Sequence, residues 1–248
     1  MPFILHLHIL ARLNKRNPIN MRVKLFFALF FAIPFCGFSQ SHKQLHILTL
    51  GDSNGTFNYS WPRQIQLAML DADVFNISKS GRTIGFLNLN DSSLNSLYVI
   101  EENLRKAALH IQQDSYDYII LELGTNDAKA VFAERQAEVA PNLEKLIRTI
   151  KNTPYASINK AQIIIISPPP FGTKAEATEK YKGGNQRVYE MSKHFRHLAK
   201  RTGCLFVNGY KVIGADIETM TKDGIHLDED ASKKLIAPVI NFISSNMN

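Results

Sequence analysis

From residue 45 onward, short continuous apolar runs alternate with longer segments of helical period. LHILTL (45–50), DVFNI (73–77), YDYIILEL (116–123), AQIIIIS (161–167) and CLFVN (204–208) read as strands. Runs that stay apolar at successive positions suit strands buried on both faces. Between them the spacing predicts a helix from Ser60 to about Leu70, with Ser60 as its cap and Pro62 in its first turn. Further helices are predicted over 94–112, 133–151, 185–201 and 230–244. The order βαβαβαβαβα implies a parallel sheet covered on both sides, a three-layer α/β/α sandwich. No repeat, low-complexity tract or linker divides this region, so 41–248 reads as one domain. In open parallel sheets, ligands bind beyond the carboxyl ends of the strands.

Those ends carry most of the polar and glycine-rich sequence. The first strand runs into GDSNG (51–55), and the second is followed by SKSGRTIG (78–85). The third ends in GTND (124–127), the fourth leads into SPPPFG (167–172), and DGIHL (223–227) precedes the last helix. Together these segments hold the parts of an acyl-transfer site: a nucleophile, a base, an orienting acid and oxyanion donors. Ser53 is the candidate nucleophile. His226 is the candidate base, and Asp223, three residues earlier, can hold its ring from the same turn. The backbone N–H groups of Ser53 and Gly81 and the side-chain amide of Asn126 are the candidate oxyanion donors. Each residue alone has an ordinary explanation as a turn, a left-handed glycine or a helix cap. It is their conjunction in this order that points to catalysis.

The spelling around Ser53 also matches G-x-S-x-G, the nucleophile elbow of α/β-hydrolases. Three features argue against that reading. Ser53 ends the first strand of the domain, no HGGG-like segment precedes it, and the acid and base are three residues apart.

Charge changes the picture only at the N-terminus. The formal net charge is +7, but the first 40 residues hold five of the 29 basic residues and no acid. The remaining 24 basic and 22 acidic residues nearly balance, so the basic character is no argument for nucleic-acid binding. From Met21, MRVKLFFALFFAIPFCGFSQ has the three parts of a secretory signal. Arg22 and Lys24 form the charged region, LFFALFFAIPF the apolar one, and Gly37 and Ser39 are small residues around a cut. The reading is therefore an upstream extension over 1–20, a signal peptide over 21–40, and a secreted or periplasmic product without stable membrane insertion. An uncleaved anchor and a lipoprotein at Cys36 are the alternatives; Pro34-Phe35 before that cysteine argues against lipid attachment. The mature chain keeps only Cys204, which begins the apolar run CLFV and reads as a buried thiol.

GDS, SGRT, GTND and DGIHL resemble four blocks of the SGNH/GDSL hydrolase superfamily, in the same order. The resemblance covers nearly all of the mature chain. It implies a flavodoxin-like sandwich around a five-stranded parallel sheet, with Ser53, Asp223 and His226 as the triad and Ser53, Gly81 and Asn126 as the oxyanion hole. LGTNDAKAVF (123–132), SPPP and YKGG (181–184) resemble the arylesterase/acyltransferase branch, which commonly has Leu-Thr where this chain has Asn54-Gly55. Secreted bacterial members often deacetylate polysaccharides.

The expectation is thus a secreted serine esterase for short acyl esters, acetyl above all, on a glycan or small-molecule alcohol. It needs no metal and no organic cofactor. Asn54, Arg82 and Phe171 are the candidate substrate contacts, with a surface salt bridge as the alternative for Arg82; Phe57, Tyr59, Trp61, Phe171 and Tyr181 read either as an aromatic rim or as core packing and loop anchoring. His194 and His197 share a helix face but have no acidic or cysteine partner, so no metal site is expected. The rivals are an acyltransferase with the same triad, a catalytically inert glycan-binding module, and an electron-transfer or nucleotide-binding protein. The last would want a P-loop or G-x-G-x-x-G after the first strand, and neither is present.

Overall fold

A computed structural model describes residues 44–247; the expected signal peptide and upstream extension lie outside the described residues. Five strands form the sheet: β1 (His46–Gly51), β2 (Asp73–Asn76), β3 (Tyr118–Glu122), β4 (Gln162–Ile166) and β5 (Leu205–Val207). All pairings are parallel and the order is β2-β1-β3-β4-β5. The helices are α1 (Trp61–Ala68), α2 (Ser96–Ile111), α3 (Val139–Lys151), α4 (Ala156–Asn159), α5 (Thr173–Glu176), α6 (Gly184–Thr202), α7 (Gly209–Ile213) and α8 (Glu229–Met247).

Alternation along the strands splits the core in two. Leu48, Leu50, Ile119, Leu121, Ile163 and Ile165 face α2, α3 and α6. The intervening Ile47, Ile120, Ile164 and Ile166 face α1 and α8. Successive strand residues point to opposite sides, so an unbroken isoleucine run serves both cores. Burying each such side chain contributes roughly 1.5–3 kcal/mol. The expected three-layer α/β/α sandwich is the observed one. Among the described residues no helix is long and apolar enough to cross a membrane. Cys204 is a free, buried thiol, and burial pushes its pKa up.

Two local expectations need correction. The helix expected over 133–151 begins only at Val139, after a 3-10 segment, Ala130–Glu138, that kinks at Phe132. Pro141 explains this: in the first turn it sacrifices no helical hydrogen bond, whereas a start at residue 133 would put it in the interior. Ser60 sits at the cap position of α1 but makes no side-chain cap bond. Its backbone carbonyl instead accepts the Gln64 N–H at 3.0 Å.

The strand order sets the site. The chain passes from β1 to β2 on one side, and β3 lies on the other side of β1. The loops after β1 and β3 therefore diverge and leave a crevice at their carboxyl ends.

Candidate active site

β1 ends at Gly51 and turns at once into a 3-10 turn, Ser53–Gly55. Asp52 caps this turn, its Oδ1 accepting the Asn54 N–H at 3.0 Å. Ser53 is 6% exposed, so its hydroxyl has little bulk water to satisfy it. Its partner is supplied by the chain 173 residues away: Ser53 Oγ lies 3.0 Å from His226 Nε2.

On its other side, His226 Nδ1 lies 2.6 Å from Asp223 Oδ2. The second carboxylate oxygen of Asp223 accepts the backbone N–H of Ile225 at 2.9 Å and of His226 at 2.8 Å. Partial burial alone would raise the Asp223 pKa. Hydrogen bonds from the His226 backbone and ring and from Ile225 outweigh it and hold the carboxyl below its ordinary range. This tight loop needs Gly224 at φ +83°, where an added Cβ would meet the Ala175 N at 2.9 Å. An ionised Asp223 fixes the proton on Nδ1 and leaves Nε2 as an acceptor for the serine hydroxyl.

The loop after β2 brings Gly81 to the same edge. Gly81 has φ +81°, and its carbonyl accepts a 2.7 Å hydrogen bond from Asn88 Nδ2. Asn126, in the loop after β3, donates from Nδ2 to the Arg82 carbonyl at 3.0 Å and so ties the two loops together. The N–H groups of Ser53 and Gly81 donate to no described residue. One face thus has a serine, an imidazole, a carboxylate and uncommitted amide N–H groups. Such a set can move a proton and neutralise a developing oxyanion.

Residues 48–234 match the GDSL-like lipase/acylhydrolase family. The chain belongs to that family. It is an SGNH-type carboxylic ester hydrolase. The fold is similar to a carbohydrate acetylesterase from Sinorhizobium meliloti, at TM-score 0.68 and 21% identity over 82% of this chain and 100% of that one. It is likewise similar to an aryl esterase from M. smegmatis, at TM-score 0.68 and 22% identity over 81% and 99%. A lipase/acylhydrolase from Enterococcus faecalis matches at TM-score 0.61 and 17% identity over 82% and 97%. No curated protein sequence matches this chain.

The expected substrate contacts of this GDSL-like esterase sit deeper than the sequence suggested. Asn54, Arg82 and Phe171 are only 1%, 4% and 3% exposed. Arg82 spends Nη1 on the Ile77 carbonyl at 2.6 Å, and burial lowers its pKa to about 10. Phe171 packs edge-to-face on Tyr181, with ring centroids 5.4 Å apart. Asn54 turns toward the His226 loop. Trp61 is fully buried and drops out of the aromatic rim. Phe57 and Tyr59 stay half-buried, stack at 5.3 Å and 6°, and Phe57 meets the His226 ring edge-on at 5.7 Å.

Four buried ionisable residues behind the site escaped the sequence reading. Asp127 receives the Ile84 N–H on both oxygens at 3.0 Å, holding the Gly81 loop to the loop after β3, and burial raises its pKa to about 7. Lys129 donates to Asn88 Oδ1 at 3.0 Å, the same Asn88 that holds the Gly81 carbonyl. Burial lowers its pKa to about 8. Asp52 and Glu122 are fully buried beside one another, and desolvation raises both, Glu122 well above its ordinary value. A glutamate inside the apolar run YIILEL was the available signal for Glu122. His194 and His197 are exposed, and among the described residues no group of three metal-ligating side chains exists.

Proposed function

We propose that this esterase removes short acyl groups, acetyl above all, from carbohydrate esters outside the cytoplasm, with Ser53 as nucleophile. The observation that carries the reading is the line from Ser53 Oγ through His226 to Asp223, at 3.0 and 2.6 Å. His226 Nε2 takes the Ser53 proton as Oγ attacks the ester carbonyl. The oxyanion is stabilised by the N–H groups of Ser53 and Gly81 and by Asn126 Nδ2. As the tetrahedral centre collapses, the alcohol leaves with the proton from Nε2. Water then attacks the acyl-enzyme by the same route, and Asp223 steadies the imidazolium in both halves.

The stacked Phe57–Tyr59 pair beside His226 supports a ring-shaped alcohol, since an aromatic face suits the C–H face of a sugar. The likeness to a carbohydrate acetylesterase and the signal-like stretch over 21–40 point the same way. The test is acyl release from acetylated xylan and pectin beside p-nitrophenyl acetate, butyrate and octanoate, for the wild type and Ser53→Ala. Glycan deacetylation lost in Ser53→Ala is the expected result. Activity confined to aryl esters would remove the carbohydrate assignment. Acyl product on an added alcohol in place of free acid would make the chain a transferase.

A further inference from the structure

Asn54 follows the nucleophile directly, yet its side chain is buried and both of its polar atoms bond to the histidine loop. Its Oδ1 accepts the Leu227 N–H at 3.0 Å, and its Nδ2 donates to the Ile225 carbonyl at 3.3 Å. These are the peptide groups on either side of His226. We propose that Asn54 is a positioning residue for His226, gripping the backbone before and after the histidine and setting its imidazole in line with Ser53. The inference rests on the reading of Ser53 and His226 as nucleophile and base.

The two bonds fit this residue type. A carboxamide presents an N–H donor group and a carbonyl acceptor in a single plane, the same kinds of group a peptide offers in a strand ladder. Leucine of similar size offers neither, and an ionised aspartate would set an acceptor against the Ile225 carbonyl. Both bonds of the grip are buried. Asn54 is 1% exposed, and its own N–H is held by the buried Asp52. Other hydrogen bonds fasten the histidine loop elsewhere: the Gly224 N–H to Thr221 Oγ1, the Gly172 N–H to the Gly224 carbonyl, and a bridge between Thr221 and Leu227. None of these reaches the nucleophile turn. Among the described residues, only the Asn54 bonds and the Ser53–His226 contact join the turn to that loop by hydrogen bonds. Asp223 orients the ring within its own loop, and Asn54 ties that loop to the turn that carries the serine.

The experiment compares Asn54→Leu with wild type, in the native His226 background and in His226→Ala, on p-nitrophenyl acetate. Ser53 phosphorylation by diethyl p-nitrophenyl phosphate, with release of p-nitrophenolate, is followed in parallel. A misplacement near 1 Å costs roughly 10²-fold in rate. The expected result is a fall in kcat and in phosphorylation of about 10–100-fold, KM within about threefold, and no further loss in His226→Ala. Asn54→Ala, which cannot overpack the site, repeats the comparison should leucine lower the melting temperature. Unchanged kcat, or an equal loss in the His226→Ala background, would overturn the proposal. A raised KM at constant kcat would make Asn54 a substrate contact instead. Full activity of Ser53→Ala, by contrast, would sink the underlying triad and not the grip alone.

Discussion

Asp223 meets His226 twice: one carboxylate oxygen lies 2.6 Å from the imidazole Nδ1, and the other accepts the His226 backbone N–H at 2.8 Å. The acid thus fixes the ring and the peptide that carries it. Asp223→Asn can offer an N–H to Nδ1 and so favour the wrong tautomer. Its kcat on p-nitrophenyl acetate is expected to fall by about 10³–10⁴ with little change in melting temperature. A loss under tenfold would show that the carboxylate is dispensable.

The oxyanion assignment makes a separate prediction. Asn126→Ala should lower kcat by about 10²–10³ and leave KM nearly unchanged. Gly81→Ala should lower kcat too, because φ +81° disfavours any Cβ and the added methyl meets Leu94 at 3.3 Å. Steady-state kinetics with circular dichroism on each variant separates a lost donor from a lost fold. A rise in KM alone would move Asn126 to ground-state binding.

Asp127 and Glu122 predict how stability depends on pH. Burial raises both pKa values, Asp127 to about 7 and Glu122 well above 4.5. A raised carboxyl binds its proton more tightly in the folded state. Its stabilising contribution is complete below the unfolded value and is lost as pH climbs through the folded one. For Asp127 that window runs from 3.8 to about 7. Asp127→Asn should flatten the decline of unfolding free energy across this window, and Glu122→Gln should gain on wild type as pH rises. Urea unfolding from pH 4 to 8 reads both, and parallel curves for wild type and variants would refute the assignment.

The aromatic pair yields a substrate-dependent effect. Tyr59→Ala removes one member of the 5.3 Å stack beside His226. Its KM on acetylated xylan should rise several-fold, while p-nitrophenyl acetate changes little and the melting temperature holds within a few degrees. Equal effects on both substrates would argue for a packing role.

The strands were legible because a parallel sheet covered on both faces demands unbroken apolar runs, and QIIII of β4 can hardly be anything else. The site motifs were legible because turns after strands need glycine, asparagine and aspartate, and the catalytic types stand among them in order. Helix starts were less so: Pro141 permits α3 to begin at Val139, but only the path of the preceding segment shows that it does.

Local chemistry was therefore written in the chain itself: the sheet, the order of its loops, and the serine, histidine and aspartate they carry. Tertiary structure alone decided the direction and burial of each side chain. Asn54, Arg82 and Phe171 lie in loop segments that read as substrate contacts, yet all three are buried against protein groups. The partners of Asn54 lie 171 and 173 residues further on, and those of Asp127 lie 43 residues earlier. Residue type limits which bonds a side chain can make. Which group stands within 3 Å of it depends on how distant segments pack, and no local spacing encodes that.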